Sequence, residues 1–161
     1  MNRSQEELFD SVYKAYAKLL LRTIRLYVKD SYECEDILQE VFVKRLLHKK
    51  KFASQEHEKY WLMRVAINKA KDYRRALHRG KLEPLNLEML EEVKTCDLNL
   101  RDLVNGLKLE QKEVVILHYY YGYTMKEIAE ILRVKESTVK MRLHRARKTM
   151  RLEMEEGIYE L

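Results

Sequence analysis

Residues 124–151 read TMKEIAEILRVKESTVKMRLHRARKTMR, and their types and spacing suit contact with a polyanion. Thr124, followed three residues later by Glu127 and then by Ile128, Ile131 and Leu132, is the pattern of a capping box that opens an amphipathic helix. After a short break at Arg133, Val134 and Lys135, the residues Val139, Leu143, Ala146 and Met150 recur on one helical face. The opposite face is thereby assigned to Ser137, Met141, His144 and Lys148, flanked by Lys140, Arg145 and Arg151. In a helix-turn-helix such a face reads the major groove: Lys140 and Arg145 can bond guanine edges or phosphates, and Met141 can touch a thymine methyl. A lone basic helix would more simply be a solvated surface. The capped helix and tight break ahead of this one favour nucleic acid.

A second group lies in EDILQEVF, which places Asp36, Gln39 and Glu40 close together on the exposed side of a helix. An acidic, amide-bearing patch in a basic protein does not suit DNA. Three readings stay open for it: a solvated surface, a metal site, or a partner protein with basic residues. A metal-dependent nuclease built on Glu33, Glu35, Asp36 and Glu40 lacks a supporting His or basic residue in that acidic part. No catalytic residue, metal ligand or cofactor is therefore assigned. In a third group, Trp61, Val65, Asn68 and Asp72 share a helical face expected to be buried, with Asn68 and Asp72 as a bonded polar pair reaching Arg74 or Arg75. The adjacent face, Tyr60, Arg64, Lys71 and Arg75, combines cations with a ring, which suits phosphate contact and stacking on an unpaired base.

The elements that must carry these groups are helical. With four Gly, one Pro and 36% charged residues among 161, the composition points to an all-α protein, and its net charge of +6 favours a polyanionic partner. No apolar run approaches the roughly 18 residues of a membrane span, and the start MNRSQEELFD lacks a signal peptide's apolar core, so a cytoplasmic location is expected. Cys34 and Cys96 stand alone and read as structural thiols. Periodicity predicts helices over residues 6–29, with Leu8, Val12, Ala15, Leu19 and Leu26 inward, and over 33–47, with Ile37, Leu38, Val41 and Leu46 inward. Ser31 or a neighbour is expected to cap the second of these. A loop at 52–57 and a third helix over 58–77 follow. Residues 80–97, which hold the proline and a cluster of acids, read as a linker. Helices over 98–107 and 109–120 then precede the helix-turn-helix, with Tyr119, Tyr120, Tyr121 and Tyr123 as core and turn packing.

The order EDILQEVF, KYWLMRVAINKAKDYRR, linker, EIAEILRVKESTVKMRLHRARK resembles the extracytoplasmic-function group of bacterial RNA polymerase sigma factors over nearly the whole chain. The resemblance implies two small helical domains, sigma region 2 at 1–80 and sigma region 4 at 98–161, joined by a linker at 81–97. It implies that Asp36, Gln39 and Glu40 dock on the β′ clamp helices of core polymerase. Ser54, Gln55, Tyr60, Arg64, Asn68, Lys71 and Arg75 would open and read the −10 element. Ser137, Thr138, Lys140, Met141, His144, Arg145 and Lys148 would lie at the −35 element. Its implied partners are core polymerase, through β′ clamp and β flap, promoter DNA, and an anti-sigma factor of the kind often anchored in the membrane, with no small-molecule substrate. The chain departs from the family pattern in the turn, where Arg133 stands in place of a common Gly, Lys135 in place of a Ser or Thr cap, and Ser137 in place of Gly. A looser turn, with Ser137 taking over some capping, is the expectation. The alternative is a free-standing helix-turn-helix regulator, which leaves Asp36, Gln39 and Glu40 without a role.

Overall fold

A computed structural model describes residues 2–77, 85, 86 and 98–155, giving only the backbone of 98–101 and 152–155. The described residues are helical, without strands, and the chain divides into two compact units, Met1–Asn86 and Leu87–Leu161. Each unit has its own core.

The first unit is a bundle of α1 (Arg3–Tyr27), α2 (Ser31–Leu46) and α3 (Gln55–Leu77), each packed on the other two. Helix α1 starts earlier than its apolar pattern suggests, because Asn2 and Gln5 form a reciprocal capping box. Its inward residues are Val12, Leu20, Ile24, Leu26 and Tyr27, whereas Leu8 and Ala15 are exposed and Leu19 is half-buried. The run Leu19, Leu20, Leu21 fits more than one face, and packing against α2 and α3 together selects Leu20. Helix α2 is capped by Asp30, whose carboxylate accepts from the Tyr32 and Glu33 N–H groups, rather than by Ser31. It buries Cys34, Ile37, Leu38, Val41 and Phe42. Continuing that stripe reaches Arg45, so Leu46 turns away from the seam and is exposed.

Helix α3 begins at Gln55 because Ser54 caps it, its Oγ accepting from the His57 N–H at 3.1 Å. The acids Glu56 and Glu58 in the first turn suit the positive end of the helix dipole. Lying between α1 and α2, it buries a wide arc: Tyr60, Leu62, Met63, Val65, Ala66, Ile67, Ala70 and Arg74. Asn68 and Asp72 are therefore not on the buried face; both are exposed, and Asp72 pairs with Arg75 at 3.3 Å. The buried polar role falls instead to Arg74, which donates from Nη1 to the Tyr27 carbonyl at 3.3 Å. Within the stretch read as linker, Leu85 is buried and the Asn86 N–H donates to the Leu26 carbonyl at 2.8 Å. Its remaining residues, including Cys96, lie outside the described ones.

The second unit comprises α4 (Leu98–Asn105), α5 (Leu109–Val115), a π-helical turn Ile116–Tyr120, α6 (Met125–Leu132) and α7 (Glu136–Glu155). Leu103, Val104, Leu107, Val114, Val115, Ile116 and Leu117 meet Ile128, Ile131, Val139, Leu143 and Ala146 in its core. Of the four tyrosines, Tyr123 is buried and stacks against Tyr121 with centroids 6.0 Å apart, while Tyr119 is exposed. Among the described residues no helix is long and apolar enough to cross a membrane.

Cys34 has no exposed surface, and its Sγ lies 3.2 Å from the Val28 carbonyl. Burial pushes its thiol pKa up, against the opposing pull of nearby Arg25. The folded state thus favours the protonated thiol, so this contribution to stability is complete below the ordinary thiol range and is lost as pH rises through the raised value. In a Cys96→Ser chain, a thiol reagent at mildly alkaline pH should label Cys34 at least about 100-fold more slowly in the folded than in the urea-unfolded protein. Equal labelling rates by mass spectrometry would show that the site opens freely.

Candidate nucleic-acid interface

Helix α6 opens with a complete capping box: the Thr124 hydroxyl accepts from the Glu127 N–H at 3.2 Å, and the Glu127 carboxylate accepts from the Thr124 N–H at 2.8 Å. Ile128 and Ile131 are fully buried beneath it. The turn closes without glycine. Arg133 adopts the left-handed conformation itself (φ 56°, ψ 50°), and its N–H and that of Val134 both point to the Ala129 carbonyl. Side-chain crowding makes that conformation costly for any residue with a Cβ, by about 1 kcal/mol. The expected loosening does not occur, because the buried residues on either side hold the turn shut. At the start of α7 the Lys135 carbonyl accepts from the Thr138 and Val139 N–H groups, and Ser137 is exposed one residue inside the helix.

Val139, Leu143 and Ala146 are fully buried and Met150 half-buried, which turns the opposite face outward. Of the predicted −35 set, Ser137, Lys140, Met141, His144, Arg145 and Lys148 are exposed and share that side, while Thr138 is half-buried at its edge. Met141, at 54% exposure, is a large apolar side chain held in water, as a contact to a base methyl requires. Lys140 is only loosely engaged, 3.6 Å from Glu136. Arg142 leans the other way, toward Glu110 at 4.0 Å. Sequence reasoning missed one pair: Arg147 donates from Nε to the Tyr119 hydroxyl at 2.7 Å, with its guanidinium over the ring. Its signal is one tyrosine of a cluster of four, 28 residues upstream, which no local pattern links to α7.

In the first unit, Asp36, Gln39 and Glu40 are all exposed on α2 and line one open depression with Val43, Lys44, Leu47 and Lys69. Lys69 of α3 pairs with Glu40 at 2.9 Å. Val43 and Leu47 are exposed apolar residues that the sequence reading passed over, although they continue the same side of the helix. Among the described residues no three His, Cys, Asp or Glu side chains are grouped to hold a metal ion.

The predicted −10 set is divided. Gln55, Asn68 and Arg75 are exposed, Arg64 and Lys71 half-buried, and Ser54 is committed through its side chain to capping α3. Tyr60 is buried, so its ring is not a free stacking platform. The accessible rings near this end of α3 belong to a cluster the sequence reading did not assemble. His48 stacks on Phe52 at 4.7 Å, Trp61 closes on both, and Arg45 lies over Phe52 at 5.0 Å. Arg45 is itself fixed by a hydrogen-bonded ion pair with Glu58, both side chains being largely shielded from water.

Three substitutions test this geometry by urea unfolding. Arg133→Gly should stabilise the second unit by about 0.5 to 1 kcal/mol by removing the left-handed strain. Leu143→Ala should cost about 2 to 5 kcal/mol, whereas His144→Ala should stay within about 0.5 kcal/mol, and similar losses at both positions would contradict the assigned faces.

Comparison with known proteins gives a consistent set of likenesses. Residues 12–80 match the sigma-70 region 2 family and residues 97–150 the sigma-70 region 4 family. The chain is 31% identical to the ECF RNA polymerase sigma factor SigX of Bacillus subtilis (strain 168), covering 93% of this chain and 85% of the relative. It is 30% identical to RNA polymerase sigma factor SigV of the same organism, covering 80% of each. In fold it is similar to CnrH, solved in complex with the cytosolic domain of CnrY (TM-score 0.62, 20% identity, 93% of this chain and 89% of that one). It is likewise similar to RpoE of Bartonella quintana, solved with the anti-sigma factor NepR (TM-score 0.59, 20% identity, 89% and 96%).

Proposed function

The chain belongs to the extracytoplasmic-function group of the sigma-70 family of RNA polymerase sigma factors, and on that premise we propose how its two units divide the work. It binds core RNA polymerase, directs it to specific promoters and promotes initiation, with region 2 in the first unit and region 4 in the second. Asp36, Gln39 and Glu40 of α2 dock on a basic surface of core polymerase, the β′ clamp helices, and the second unit also meets the β flap. The exposed face of α7 enters the −35 major groove, where Arg145 and Lys140 bond bases or phosphates and Met141 meets a methyl. Residues from the start of α3 and along its length, Ser54, Gln55, Arg64, Asn68, Lys71 and Arg75, engage the −10 element. Capture of an extruded base there offsets an unstacking cost of a few kcal/mol. The chain acts in the cytoplasm, contributes no catalytic step of its own, and is held in check by an anti-sigma factor.

The observation that carries this reading is the outward placement of the α7 face by burial of Val139, Leu143 and Ala146, in a chain that also exposes the acid and amide patch on α2. Run-off transcription from a genomic promoter library with matched core polymerase tests it: discrete new starts should appear only when the chain is added. Replacing Asp36, Gln39 and Glu40 together by alanine should abolish core binding in a pull-down without changing thermal stability. On a promoter recovered from the library, Arg145→Ala should reduce discrimination among −35 variants by about 1 to 3 kcal/mol. A free-standing regulator would show the reverse pattern, with DNA binding independent of polymerase and indifference to the α2 changes.

A further inference from the structure

Tyr119 and Arg147 belong neither to the core nor to the face already assigned. Tyr119 stands in the π-helical turn Ile116–Tyr120, a distortion that recurs at functional positions, and it is 53% exposed. The turn is fixed from below, since the Tyr121 N–H donates to the Ile116 carbonyl at 3.1 Å and His118 Nδ1 lies 2.8 Å from the Tyr123 carbonyl. Arg147 reaches it from α7, donating from Nε to the phenol oxygen at 2.7 Å, with the guanidinium carbon 5.6 Å from the ring centroid. Two sets of donors are left over. The terminal amino groups of Arg147 meet no partner among the described residues. The phenol proton of Tyr119 is also available, because its oxygen serves Arg147 as an acceptor.

The placement of this pair decides what those donors can meet. Lys140, His144, Arg147 and Arg151 follow one another at intervals of four, three and four residues, so they form a single exposed stripe. At 1.5 Å per residue it runs about 16 Å along α7, beside the face of Met141, His144 and Lys148. When a helix lies in a major groove, the edges of its contact face meet the sugar-phosphate backbone. Arginine and tyrosine side chains are both regular phosphate ligands there.

We propose that Tyr119 and Arg147 form a preassembled clamp for one DNA backbone phosphate, the phenol proton and the Arg147 terminal amino groups donating to its oxygens. The clamp rests on the reading of α7 as the duplex-binding helix. Tyr119 is both a ligand and a positioning residue. A long arginine side chain ordinarily loses rotamer freedom when it binds, and one already held by a hydrogen bond and a ring loses less. The contact is to phosphate alone, so it sets affinity and register without choosing sequence.

The test uses the full chain and a fluorescein-labelled duplex of mixed sequence, about 30 base pairs long, titrated by anisotropy between about 20 and 150 mM KCl. Arg147→Ala should weaken binding about tenfold at low salt and flatten the salt dependence by about one counterion. Arg147→Lys should keep the salt slope yet bind more weakly, lacking the planar fork. Tyr119→Phe should weaken binding with the slope intact, since it removes a donor and no charge. A merely structural role would lower the thermal midpoints of these variants and leave the salt dependence of the folded protein unchanged. Parent-like slope and affinity in both Arg147 variants, or parent-like affinity in Tyr119→Phe, would overturn the clamp. A Lys140→Ala, Arg145→Ala double variant on the same duplex separates the two claims. Should it bind like the parent, the duplex role of α7 falls; should it alone weaken, only the clamp falls.

Discussion

The second unit depends on the burial of a narrow stripe on α7. Val139, Leu143 and Ala146 have no exposed surface, and they pack with Ile128 and Ile131 of α6, also fully buried. Apolar burial is worth roughly 25 cal/mol per Å², whereas an exposed ion pair such as Lys140 with Glu136 contributes about 1 kcal/mol or less. Burial therefore orients the helix, and the charges go where it leaves them. The same force explains how a left-handed arginine is tolerated between α6 and α7: the packing on both sides outweighs its local strain.

In the first unit the comparable constraint is the position of α3 between α1 and α2. A helix flanked on two sides buries more than a single stripe, and α3 hides a continuous arc from Tyr60 to Arg74. Its N-terminal end is tied to α2 by the shielded Arg45 and Glu58 pair and by the rings of His48, Phe52 and Trp61. A shielded ion pair recovers its desolvation cost only with good geometry, so its contribution here lies more in defining one path for residues 47–54 than in net stability. That path carries Lys49, Lys50 and Lys51 outward.

How legible each part was in the sequence follows from the range of the forces involved. The all-α class, the Thr124 capping box and the buried stripe of α7 are local patterns, read within one or two helical turns. Helix faces in the first unit were harder. Leu19 to Leu21 fit several inward directions, and α3 is apolar over a wide arc, so a periodicity anchored on Trp61 and Val65 also takes in Asn68 and Asp72, which stay in water. The burial of Tyr60, the stack of His48 with Phe52, and the bond from Arg147 to Tyr119 each join residues that no repeat connects. Capping by Ser54 is the exception: the serine lies only three residues ahead of the bonded His57 N–H, a local pattern, and it makes the loop shorter than residues 52–57.

The ion pair of Lys69 with Glu40 has a consequence of its own. Glu40 is 62% exposed at its side chain, yet it already holds a cation at 2.9 Å. A positive group that takes the Oε2 of that carboxylate displaces Lys69, so association through that oxygen is an exchange of one ion pair for another, in which the Coulomb terms largely cancel. The net change comes from the water released around neighbours such as Val43 and Leu47. When the visitor leaves, Lys69 recaptures the carboxylate, and no bare charge has to be resolvated on the way out. A surface arranged in this way gains little from charge pairing itself, so what it holds is decided by the apolar neighbours of the pair.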